Sequence, residues 1–135
     1  MQQIRLFFGL IFFFFFCFIG GLDAQKSVGQ LDPDALYKEG YSLFQKRQFQ
    51  ASKTKLQEYL NQSDSPVYAA DAEYYIAAAS TELFQREALH QLSSFIDDFP
   101  ENPKTSMAWF QRGNVMFRDR KFQEAEQNFL KADPY

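Results

Sequence analysis

The sequence contains one histidine and one cysteine, and each scarcity removes a class of function. His90 alone excludes any site that needs two imidazoles, and no cluster of Cys, His and carboxylates has zinc-ligand spacing, so neither a metal nor a cofactor is expected. Cys17 lies inside an N-terminal apolar run, which leaves the rest of the chain without a thiol and its stability dependent on packing. Excess positive charge is also missing: the net charge is −3, which disfavours a nucleic-acid partner. No segment alternates apolar and polar residues over a useful length, so no strand is expected. Ser93, Ser94 and His90 are close on one predicted helix but have no acidic third member to orient the imidazole, so no enzyme activity is expected.

What the chain does have is phenylalanine, unevenly placed. Eight of the seventeen Phe fall in the first eighteen residues. There Arg5 precedes the apolar run Leu6 to Ile19, Gly20-Gly21 and a polar stretch, the layout of a secretory signal peptide. The run is shorter than the roughly 20 residues that span a bilayer as a helix. Cleavage after Ala24 is expected, giving a signal peptide at 1–24 and a flexible lead-in at 25–31; an uncleaved anchor is the alternative. Membrane contact is then limited to the signal before cleavage. Phe16 stands where a lipoprotein signal places a small residue before the acylated cysteine, so Cys17 is not expected to be lipidated.

Beyond residue 31 the period is helical. Asp32-Pro33, Ser65-Pro66, Asn102-Pro103 and Asp133-Pro134 each pair a capping side chain with a proline suited to a first helical turn, at intervals of 31 to 37 residues. Between these starts the apolar spacing predicts six helices at about 33–46, 49–62, 67–83, 87–98, 104–118 and 121–132. The clearest stretch runs from Trp109 to Ala132. Trp109 and Gly113 share a helical face, and the glycine removes a side chain where another helix must approach. After a polar break, Phe122, Ala125, Phe129 and Ala132 make one stripe of alternating large and small residues.

Those residues resemble the tetratricopeptide repeat, a hairpin of two helices with a Trp, Gly, aromatic, Ala, aromatic, Ala pattern. Leu36 and Gly40, then Phe49, Ser52, Leu56 and Tyr59, are the weaker first copy. Tyr74 and Ala78, then Ala88, Leu92, Phe95 and Phe99, are the second, with an inter-helix turn around Leu83 to Glu87 expected to be about two residues short. The resemblance implies an all-α solenoid of three helix-turn-helix hairpins, at about 32–65, 66–101 and 102–135, expected to be the start of a longer array. Repeat packing would fall to Leu36, Gly40, Tyr74, Ala78, Ala88, Trp109, Gly113, Phe122, Ala125 and Phe129.

In that family the first helix of each hairpin lines a concave groove that holds peptides. Carried over, the groove residues would be Tyr37, Tyr41, Phe44, Tyr75, Phe110 and Phe117, an aromatic lining whose alternative role is packing between repeats. Tyr37, Tyr41, Ile76, Met107 and Gln111 occupy the places of the carboxylate clamp that holds acidic chaperone tails, so such a tail is not the expected ligand. The export signal, AEYYIAAASTEL at 72–83 and FIDDFPENPKTSMAWFQRGNVMF at 95–117 are similar to envelope repeat proteins of Gram-negative bacteria, the BamD-like lipoproteins and Tol-Pal-associated proteins. This implies a non-enzymatic scaffold in the periplasm or on the periplasmic face of the outer membrane, with a protein or peptide partner. The alternatives are the N-terminal arm of a larger envelope protein and a self-associating structural module.

Overall fold

The computed structural model describes residues 32, 34–62 and 66–132. The predicted signal, the lead-in, Ser65 and Asp133-Pro134 lie outside these residues. The described chain is six α-helices and, among the described residues, no strand: α1 Ala35–Gln45, α2 Phe49–Gln62, α3 Ala69–Glu82, α4 Ala88–Asp98, α5 Thr105–Arg118 and α6 Phe122–Ala132. Every helix begins and ends within two residues of the bounds predicted from periodicity.

The Asx-Pro signals act one short turn ahead of the helices they start. Asp32 Oδ1 accepts the Asp34 amide at 3.1 Å, and the Ala35 amide bonds to the Asp32 carbonyl at 2.9 Å. Asn102 repeats this, accepting the Lys104 amide at 2.9 Å while Thr105 N bonds to its carbonyl at 2.9 Å. Each side chain satisfies an amide that has no partner inside the helix.

Each hairpin turns through the same backbone device. Arg47, Phe84 and Arg120 take φ of 60°, 56° and 62°. In the first hairpin Arg47 N bonds to Phe44 O and Gln48 N to Leu43 O, both at 2.9 Å; the pairs Phe84 to Thr81 with Gln85 to Ser80, and Arg120 to Phe117 with Lys121 to Met116, follow suit. This is the Schellman ending, which closes the last carbonyls of a helix and reverses the chain, here without glycine at the left-handed place. The second turn is not shortened as the sequence had predicted: 83–87 is non-helical, against 46–48 and 119–121. The apolar spacing is nevertheless compressed, because Ser52 and Ala125 follow the left-handed residue by five places and Ala88 by four. Ala88 N bonds to Gln85 O, three residues back. Winding at three residues per turn brings Ala88 to the seam with fewer residues than α-helical winding needs.

Sequential helices pack in order, and α3 is the hinge of the core. It contacts α2 and α4 and also touches α1 and α5. Ala72, Ala77, Ala78, Ala79 and Ser80 have no exposed surface, so small residues let several helices approach one axis. One core cluster joins Tyr37, Leu56 and Tyr59 to Ala72 and Ile76; the other joins Tyr74, Ala77 and Ala78 to Leu92, Phe95, Ile96, Ala108 and Val115. All of these lie within residues 32–135, a compact unit by itself.

Candidate functional site

The first helices of the hairpins are neighbours: α1 touches α3, and α3 touches α5. Their side chains therefore meet on one face. Tyr41 stacks on Tyr37 with ring centres 6.3 Å apart and planes 7° apart, and lies 5.0 Å from Tyr75. Phe44 is also 5.0 Å from Tyr75, whose half-buried ring packs against both core clusters. Tyr41, Phe44 and Tyr75 border an open groove of about 510 Å³ with Tyr74, Met107 and Gln111.

A second and larger groove, about 1080 Å³, adjoins the first and shares Tyr74, Glu82, Met107 and Gln111 with it. Phe110, Phe117, Phe122 and Phe129 line this one. The six aromatic residues read from the sequence as one groove are thus distributed. Tyr41, Phe44 and Tyr75 share the first groove, Phe110 and Phe117 belong to the second, and Tyr37 is buried in the core at 9% exposure.

Tyr37 also does something the residue pattern did not reveal. Its hydroxyl donates to Asp71 Oδ2 at 3.2 Å, and Lys104 Nζ donates to Asp71 Oδ1 at 2.9 Å, so one carboxylate ties α1 to the start of α5. The Lys104 ammonium also lies 5.6 Å from the Tyr75 ring centre. Burial first, then the Asp71 charge, raises the Tyr37 hydroxyl above its ordinary value. Burial pushes the Tyr74 hydroxyl up to about 12, and its oxygen accepts a bond from Gln111 Nε2 at 3.3 Å.

The packing residues are placed as follows. Gly40 and Gly113 are buried, as are Tyr74, Ala78, Ala88 and Ala125. Leu36 is half-buried on the Tyr37 cluster. Trp109 is half-buried, with Arg112 5.2 Å and Lys131 4.3 Å from its ring centre. Phe129 covers Gly113, while Phe122 is 56% exposed with its ring 5.3 Å from Phe117, on the open groove. Counting back from the left-handed residue, Ala77 matches Gly40 and Gly113, one position before Ala78; both alanines are fully buried. His90 is exposed, and Ser93 Oγ donates to its own helix at Leu89 O, 2.9 Å away. Among the described residues no group of three or more His, Cys, Asp or Glu is placed to hold a metal ion. No described helix is long and apolar enough to cross a membrane.

Comparison with curated proteins and with solved structures finds no match. A family model described as "YfiO: Outer membrane lipoprotein" matches residues 29–133, which takes in all six helices and both grooves. The three stacked hairpins and this match together place the chain in the YfiO family of outer membrane lipoproteins, envelope proteins of the BamD-like tetratricopeptide type.

Proposed function

We propose that this chain is a non-enzymatic scaffold on the periplasmic side of the cell envelope that holds a segment of another protein on the face formed by α1, α3 and α5. The observation that carries this reading is the open groove where Tyr41, Phe44 and Tyr75 meet Met107 and Gln111. Aromatic rings with an amide among them give a segment apolar area to bury and a polar group to fix its register. The stacking pattern agrees: first helices touch one another, whereas α2 does not touch α4, nor α4 touch α6. Helices that touch lie on the inside of a curved stack and those that splay lie outside, which supports a concave α1, α3 and α5 face.

The signal before residue 25 would deliver the chain to the periplasm. With Phe16 before Cys17, retention at the outer membrane would come from protein contacts and not from a lipid.

A photo-crosslinking side chain at Met107, which is 55% exposed, tests this reading in cells, with the same group at exposed His90 on α4 as the control. Discrete protein adducts at Met107 and none at His90 are expected. Equal adducts at both, or none at Met107, would overturn the groove as the binding face.

A further inference from the structure

The three turns inside the hairpins lie side by side. Gln85 of the second turn donates from Nε2 to Gln50 Oε1, beside the first turn, at 3.3 Å. Arg118, at the start of the third, lies 4.7 Å from the ring centre of Phe84 in the second. Hairpins stacked in order bring these turns to one edge of the molecule and the connections between hairpins to the opposite edge. Charge is sorted between the two. From the last residue of each first helix through its turn, the first edge carries Lys46, Arg47, Arg86, Arg118, Arg120 and Lys121, all exposed, against Glu82, Glu87 and Asp119. Glu87 is already held by Lys53 at 2.9 Å. The opposite edge carries Asp32, Asp34, Asp97, Asp98 and Glu101. Its lysines are Lys38, Lys104 and Lys131, the first two bound to Asp32 and Asp71.

The net charge of −3 is thus an average over two unlike edges. The 14-residue helices α3 and α5 hold the edges about 21 Å apart, more than two Debye lengths of about 8 Å at physiological salt, so the acidic edge does not cancel the basic one at contact. Local structure does not account for all of the cations. Lys46, Arg47 and Arg118 suit the ends of α1 and α5, where the helix dipole is negative. Arg86 and Lys121 stand within two residues of the starts of α4 and α6, which the dipole makes positive, and among the described residues neither pairs with a carboxylate. Arg47, Phe84 and Arg120 also project from left-handed backbone that glycine would adopt without strain. Strain held at exposed turns points to a role outside the fold. Phe84 is 71% exposed beside these cations.

We infer that the edge formed by the three turns docks on the anionic phospholipid headgroups of an envelope membrane, its cations over the phosphates and the Phe84 ring in the headgroup layer. Cations spread over three turns suit an extended negative surface, whereas a single phosphate needs them to converge. An aromatic ring at the tip suits the same layer, where amphipathic and aromatic side chains gather. A member of an outer membrane lipoprotein family works beside such a surface. With no acyl chain expected on Cys17, headgroup contact would add a weak, reversible hold to the protein contacts. The inference rests on the envelope location proposed above but uses a different surface from the groove.

Vesicle co-sedimentation of residues 25–135, which contain both core clusters whole, tests it. Phosphatidylcholine vesicles that contain phosphatidylglycerol should retain the protein, those without it should not, and binding should weaken as salt is raised. Lys46→Gln combined with Arg86→Gln and Lys121→Gln should lower the binding about a hundredfold, equivalent to about 1 kcal/mol for each cation, without moving the melting temperature. Adding Asp97→Asn, Asp98→Asn and Glu101→Gln to that variant returns the net charge to its natural value and should not restore binding. Equal retention by both kinds of vesicle, binding restored by the acidic-edge changes, or no binding at all would overturn the inference. So would a photo-crosslinking side chain at Arg86 that gives discrete protein adducts in cells and no lipid adduct, which would assign the edge to an acidic protein. The vesicle assay contains no protein partner, so its failure with Met107 adducts retained sinks this inference alone.

Discussion

Gly40 lies directly beneath Leu56: a Cβ at residue 40 would sit 2.7 Å from Leu56 Cγ and 2.8 Å from its Cδ2. The seam of the first hairpin is set by that approach and by Ser52 Oγ, which donates to the Gly40 carbonyl at 2.7 Å. Leu56 is fully buried, so it has nowhere to move. Gly40→Ala is expected to destabilise the protein by about 1–3 kcal/mol through overpacking, partly offset by the helix propensity of alanine. The companion Gly113→Ala meets Phe129 Cε1 at 2.5 Å, but that ring borders the open groove and can swing outward. Urea unfolding of the two variants should therefore rank Gly40→Ala as the more damaging.

The three left-handed turn residues carry side chains where glycine would be unstrained. Among the described residues Arg120, at φ 62°, makes no side-chain hydrogen bond or ion pair, so removing its side chain costs little in contacts. Arg120→Gly should leave stability unchanged or raise it by up to about 1 kcal/mol, the relief of left-handed strain against the added freedom of the unfolded chain. Phe84→Gly should gain less, because Arg118 stacks 4.7 Å from the Phe84 ring centre. Thermal melts of both variants check the order.

Asp71 joins hairpins distant in sequence through Tyr37 and Lys104. Asp71→Asn keeps the shape but removes the charge, and should cost about 1 kcal/mol, below the usual range for a charged hydrogen bond because the pair is partly exposed. The loss should shrink as salt is raised, as measured by urea midpoints at two ionic strengths.

The link from Lys53 to Glu87 should depend on pH. The Glu87 carboxyl is held below its ordinary value by its own backbone amide and then by Lys53. A carboxyl lowered on folding contributes stability above its unfolded value and loses it as pH falls through the folded one. Glu87→Gln should therefore be less stable than the natural protein at neutral pH, with the gap closing below about pH 4. Glu73 runs the other way, since burial and then Asp98 raise its carboxyl. The fold favours its protonated form, a preference present at low pH and lost as pH rises through the raised value. Glu73→Gln should accordingly stabilise at neutral pH and do little in acid, and paired unfolding curves at pH 3 and pH 7 separate the two residues.

Periodicity and the Asx-Pro signals determined the six helices, because which face of a helix is apolar is written in residue order and an Asx cap acts on amides two or three places away. The Gly113 and Phe129 spacing likewise carries the close-contact seam in residue order. The turn chemistry was hidden, since Arg47, Phe84 and Arg120 are not residues that favour a left-handed backbone, and only the helix endings around them impose it. Tertiary structure alone decided where each aromatic ring went. Tyr37 and Phe110 occupy equivalent places on equivalent helices, yet Tyr37 is covered by α3 and Phe110 is open, because burial depends on which helix packs next to a face and not on the face itself.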